Sequence, residues 1–78
     1  MTLVEQEEIE RWLKRKREDK AARLCEDRWY SNDLKRDRYD LAYWFKCRGK
    51  EHRIHQTGDS IVEVVRLCQN AESRIMQG

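Results

Sequence analysis

Five side chains of this sequence could ligate a metal or run thiol–imidazole chemistry: Cys25, Cys47, His52, His55 and Cys68. A zinc site usually holds two of its ligands a few residues apart, as in Cys-x-x-Cys. No two cysteines here are near neighbours in the chain. His52 and His55 lie three apart, so on a strand they point to opposite faces. A nucleophilic thiol needs a base, an orienting group and a pocket to hold them. The sequence has no nucleophile elbow, no Gly-rich phosphate loop and no paired acidic motif. The expectation is a chain with no catalytic residues, no cofactor and no metal, whose three cysteines are small buried apolar side chains.

Binding chemistry is more prominent. From Tyr39 the odd positions read Tyr39, Leu41, Tyr43, Phe45, Cys47, and the even ones Asp40, Ala42, Trp44, Lys46, Arg48. Period two with aromatic residues predicts a strand. Gly49-Lys50 suits a two-residue turn with glycine first. That register sets Arg48 opposite Glu51, Cys47 opposite His52, Phe45 opposite Ile54 and Trp44 opposite His55. If the odd face packs inward, the outward one carries Trp44, Lys46, Arg48, Arg53 and His55. Basic side chains around an exposed Trp can contact phosphates and stack on bases, and they are also what protein interfaces use. A charge-protected edge ribbon is the plainer alternative. A second basic feature is the unbroken charged run 14–20, with Lys14, Arg15, Lys16 and Arg17 at its start.

The elements that must position these residues are few. Thr2 with Glu5 is a capping-box pattern, and acidic residues crowd the first turns. Ile9, Leu13, Ala21 and Leu24 share one helical face, interrupted by Arg17. These features predict a long helix over residues 2–28. Ser31-Asn32-Asp33 is a turn cluster. After the ribbon, Thr57-Gly58-Asp59 breaks the chain, and Ser60 with Glu63 opens a second helix over residues 61–76. Its apolar face is Ile61, Val64, Val65, Cys68, Ala71 and Ile75. The expected fold is one α+β domain over residues 1–78: long helix, two-stranded antiparallel hairpin, C-terminal helix. A helix through Leu34, Leu41 and Phe45 gives the alternative, an all-α three-helix fold.

The sequence from aromatic strand through the Gly49-Lys50-Glu51 turn to the second strand and helix resembles, as a pattern, the arm-binding domains of phage integrases. Such domains carry a third strand that this reading lacks, and the family is not assigned. The resemblance implies nucleic acid as a partner for the ribbon face.

Seventy-eight residues with 41% charged side chains and a mean hydropathy of −1.10 border on the composition of disordered chains. Three Trp, three Tyr and no Pro, with clear apolar periodicity, argue for a folded domain. Acidic residues at the N-terminus exclude a signal-peptide pattern, and no apolar run is long enough to span a bilayer. Free thiols in a reducing, cytoplasmic compartment are expected. Membrane binding is not expected of the run 14–20, which lacks an apolar face.

A helix of 27 residues would be about 40 Å long, longer than the roughly 30 Å breadth of a domain this size. It should overhang and could pair with a second copy, so a homodimer is expected. Net charge is only +2, and Trp12, Trp29, Tyr30 and Trp44 exceed what so small a core can bury. These points favour a protein-binding module, a small regulator, adaptor or inhibitor. By base rate, such domains are often accessory proteins of mobile elements that block a host machine. The expected partner-binding residues are Trp12, Trp29, Tyr30, Trp44, Lys46, Arg48, Arg53 and His55. The alternative is a nucleic-acid-binding protein using Lys14, Arg15, Lys16, Arg17, Lys46, Arg48 and Arg53.

Overall fold

Thr2 starts the first helix by accepting the Glu5 N–H on its hydroxyl at 3.2 Å. In the computed structural model, which describes residues 2–78, this helix is α1, Leu3–Glu18. Three antiparallel strands follow: β1, Cys25–Ser31, β2, Arg36–Cys47, and β3, Lys50–Gly58. The chain closes with α2, Ile61–Gln77. Ser60 caps α2 through the Glu63 N–H at 3.2 Å, and the Glu63 carboxylate reaches back to the Asp59 N–H at 3.1 Å. The second capping signal is therefore realised almost as the sequence spells it.

The architecture is α+β, and the all-helical alternative does not hold. Two expectations are corrected. The sheet has three strands in the order β1-β2-β3, not two. The long helix stops at Glu18, and part of its expected length is β1. Asp19 ends α1 by accepting the Ala21 N–H at 3.0 Å. Arg23 takes a left-handed φ of +48°, and the Ala22 carbonyl accepts the Trp44 N–H at 2.7 Å. Ala22 and Leu24 are drawn to the core, and this tertiary packing overrides local helix propensity. With 16 residues, α1 is about 24 Å long against a molecule of 41 × 29 × 24 Å. The overhang on which self-association through this helix rested does not exist.

Ribbon register is also corrected. Phe45 pairs with His52, Tyr43 with Ile54 and Trp44 with Arg53. The turn is Arg48-Gly49, not Gly49-Lys50, with φ of +53° and +79°. Two consecutive left-handed residues match the twist of a tight hairpin. Each partner moves by two positions, so the side chains that stay in the strands keep their expected faces, whereas Arg48 passes into the turn.

The core lies between one face of the sheet and the helices. Ile9, Trp12 and Leu13 come from α1, Tyr39, Leu41 and Tyr43 from β2, Ile54 from β3, and Val64, Val65 and Cys68 from α2. Trp12 meets Tyr43 edge to face, with centroids 5.5 Å apart. The expected apolar stripe of α2 is the one that packs.

Candidate partner-binding face

Strand alternation divides the sheet into two chemically different faces. Tyr39, Leu41, Tyr43 and Phe45 turn toward the helices with their partners on the flanking strands. The opposite face has no layer over it. Its centre is Trp44, half-buried, paired across to Arg53 and approached by the Arg23 guanidinium at 6.0 Å from the ring centroid. Lys46 faces Glu51 in register, and Ala42 faces His55. Toward β1 the same face continues through Asp40, Arg38 and Trp29.

Charges on this face are organised in pairs. Asp40 accepts hydrogen bonds from His55 Nε2 at 2.5 Å and from Thr57 Oγ1 at 2.7 Å. Partial burial pushes the Asp40 carboxyl up, but these two bonds together with the nearby charges of His55 and Arg53 hold it below the usual carboxylate range. Arg38 and Arg36 both engage Asp59, Arg36 at 3.0 Å. A cleft of about 230 Å3 runs beside Trp44, lined among others by Ala21, Ala22, Lys46 and Glu51.

The expected partner-binding residues divide accordingly. Trp44, Lys46, Arg53 and His55 come together on the open face. Trp29 and Tyr30 are exposed, at 41% and 57%, on opposite faces of β1. Trp12 is not at the surface: it is 8% exposed and belongs to the core. Arg48 turns away from the open face and donates to the Met76 carbonyl at 2.8 Å, covering the C-terminal end of α2 where a cation is favoured.

The charged run of α1 does not form one stripe. Arg17 binds the Glu26 carboxylate through two bonds of 2.7 and 2.8 Å. Lys16 folds inward to Glu72 at 2.8 Å, over the rings of Trp12, Tyr43 and Phe45. Both guanidinium and ammonium are thus committed within the fold, and Lys14 and Arg15 remain exposed without them.

Sequence reasoning missed Arg23, which it placed inside a helix, and Asp40, which the period-two pattern put on the right face without a partner. Among the described residues no three His, Cys, Asp or Glu side chains form a group that could hold a metal ion. The expected burial of all three cysteines is corrected: Cys68 is buried, Cys47 is half-buried, and Cys25, on the edge strand β1, is exposed. Among the described residues no helix is long and apolar enough to cross a membrane.

Compared with protein-family models, with curated proteins and with solved structures, the chain matches none. The sheet does carry a third strand, β1, but no comparison assigns the chain to the integrase arm-binding family.

Proposed function

We propose that the chain is a non-catalytic protein-binding module, a small regulator, adaptor or inhibitor, that engages its partner with the open face of the sheet. The observation that carries this is Trp44, set on an uncovered face between Arg53 and Arg23, with acidic and basic groups interleaved around it. Aromatic and Arg side chains dominate interface energetics when a partner desolvates them. Asp27, Asp40 and Glu51 share the face with Arg36, Arg38, Lys46 and Arg53, so a phosphate backbone would meet three carboxylates among these four cations. That mixture favours a protein over a nucleic acid, whose affinity comes mainly from phosphate contacts.

The test compares wild type with Trp44→Ala and with the triple variant Arg36→Ala, Lys46→Ala, Arg53→Ala, three cations of the open face. Binding is measured to partners captured from the native host and to a generic duplex, at two salt concentrations. Trp44→Ala is expected to cost about 2 kcal/mol or more of partner affinity, with weak salt dependence. Folding is measured in parallel, because Trp44 is half-buried and its truncation also removes packing. Tight duplex binding that falls with a log–log salt slope of roughly −3 and is abolished in the triple variant would establish the nucleic-acid reading instead.

A further inference from the structure

Trp44 stands in a row with two cations. Arg53 is its direct partner across β2 and β3. Arg23 comes from the bend before β1, and its guanidinium lies 6.0 Å from the centre of the indole. The bend is held there by the Ala22 carbonyl, which accepts the Trp44 N–H at 2.7 Å. Both arginines are exposed. The other charged groups of the face already have partners. Asp40 accepts from His55 and Thr57, and Asp59 engages Arg36 and Arg38. The Asp27 carboxylate accepts the Arg28 N–H at 2.9 Å, and Lys46 is faced by Glu51. Among the described residues neither Arg23 nor Arg53 is in an ion pair. Arg53 acts on Asp40 only at a distance. Two like charges are therefore held about one ring with no carboxylate between them.

We propose that this row receives an acidic segment of the protein partner. A glutamate or aspartate carboxylate bridges Arg23 and Arg53, and an aliphatic neighbour enters the cleft beside Trp44. Charge complementarity selects the acid: a carboxylate relieves the repulsion between the two guanidinium groups and forms parallel hydrogen bonds with either. Those bonds strengthen as the partner excludes water from them. The cleft selects the neighbour, since Ala21, Ala22 and Phe45 line it together with the indole.

The cationic spot is narrow. On one side of it Lys46 is balanced by Glu51, and on the other the face continues to Asp27 and Asp40. A nucleic-acid strand carries a charge at every step and would bring its next phosphates onto those carboxylates. A protein segment can place its acid at the row and something else beyond it. The inference rests on the reading of Trp44 as the centre of the partner-binding face, and it adds the chemistry of what lands there.

The probes are a short peptide of alternating Glu and Leu, the same peptide with Gln for Glu, the same with Gly for Leu, and an oligothymidylate of equal charge. Each is titrated at low salt into the labelled chain while the Trp44 indole N–H is followed by NMR, its signal assigned with Trp44→Phe. The Glu-Leu peptide is expected to move that signal at the lowest concentration of the four. The double variant Arg23→Gln, Arg53→Gln should bind it about threefold to tenfold more weakly, as suits two exposed ion pairs. Lys14→Gln, Arg15→Gln, which removes the same charge from α1, should bind it as wild type does. Melting curves check that both double variants fold. The proposal is overturned if the Gln peptide binds wild type as well as the Glu peptide, if the Gly peptide binds as well as the Leu peptide, if the arginine variant binds unchanged, or if oligothymidylate binds most tightly. Should it fail in this way while Trp44→Ala still weakens binding of the captured host partner, the open face stands and only the acidic assignment falls. A host partner indifferent to Trp44→Ala would instead remove the open-face reading itself.

Discussion

Lys16 Nζ lies 2.8 Å from the Glu72 carboxylate and 4.8 Å from the centre of the Tyr43 ring. Glu72 also accepts the Tyr43 hydroxyl at 2.7 Å. One lysine of α1 is thereby fixed to α2 and to the central strand at once. Its side chain is 18% exposed and that of Glu72 12%, so neither charge is well solvated if its partner goes.

Lys16→Met and Glu72→Gln should each destabilise the fold by about 2 kcal/mol, because removing one partner leaves the other poorly compensated. The double variant should lose less than the two single losses together, by about 1 kcal/mol, as expected of groups in one network. Denaturant unfolding of the four proteins checks this. Strict additivity would show that the two side chains do not act as a unit.

Two glycines should tolerate alanine poorly, for different reasons. Gly49 sits at φ +79° with nothing near its missing Cβ. Gly49→Ala should cost about 1 kcal/mol from the left-handed backbone alone. Gly58 is buried against α2, and a Cβ there would meet Val64 Cγ2 at 3.0 Å. Gly58→Ala should cost about 1–3 kcal/mol through crowding, and pairing it with Val64→Ala should recover part of the crowding. Thermal melts of the single and paired variants separate strain from contact.

Much of this fold is legible in the residues. Ser60 with Glu63, and the stripe from Ile61 to Ile75, define α2 closely because capping and packing agree there. The alternation from Tyr39 to Cys47 defines β2 because one of its faces is buried. β1 is illegible for the opposite reason: Cys25, Glu26, Asp27 and Arg28 contribute no apolar side chain to the core, so no period marks them. The end of α1 carries no Gly or Pro, and it is set by Ala22 reaching Trp44 across the sheet. On the candidate face, Trp44, Arg53 and His55 follow from strand parity. Trp12 was misread because its helical neighbours are charged, while the ring it packs on, Tyr43, lies far along the chain.

The three thiols should react in order of exposure. Cys25 should be modified first, Cys47 more slowly, and Cys68 only when the chain unfolds. Burial pushes the Cys68 thiol up to about 12 from an ordinary value of 9.0. Its folded pKa lies above the unfolded one, so its contribution is complete below about pH 9 and is lost as pH rises toward 12. Burial and the carboxylates of Glu26 and Glu72 raise Tyr39 and Tyr43 in the same sense. Stability in denaturant should therefore fall above pH 9, with Cys68 becoming reactive in step. A fast-reacting third thiol at neutral pH in the folded protein would contradict the buried placement.

Acid should act through Glu26. The hydrogen bonds from Arg17 hold its carboxyl below the ordinary range, against a smaller upward push from burial and with help from the Tyr39 hydroxyl. Tyr39 Oη donates to Glu26 Oε1 at 2.6 Å, so the one carboxylate ties the end of α1 to β1 and β2. Its folded pKa is below the unfolded value of about 4.3. The stabilisation is therefore present above that pH and disappears as pH falls through the unfolded value and then the folded one. Arg17 is 53% exposed, which limits the pair to about 1 kcal/mol or less. Glu26→Gln should be less stable than wild type by that amount at pH 7. The gap should begin to close as pH falls through the unfolded value of about 4.3 and vanish once the folded carboxyl is protonated too, because both chains are then uncharged at this position. Raising salt at pH 7 should narrow the gap as well, since the exposed guanidinium is screened. Equal stabilities at pH 7, or a gap that widens in acid, would mean that Glu26 does not link α1 to the sheet.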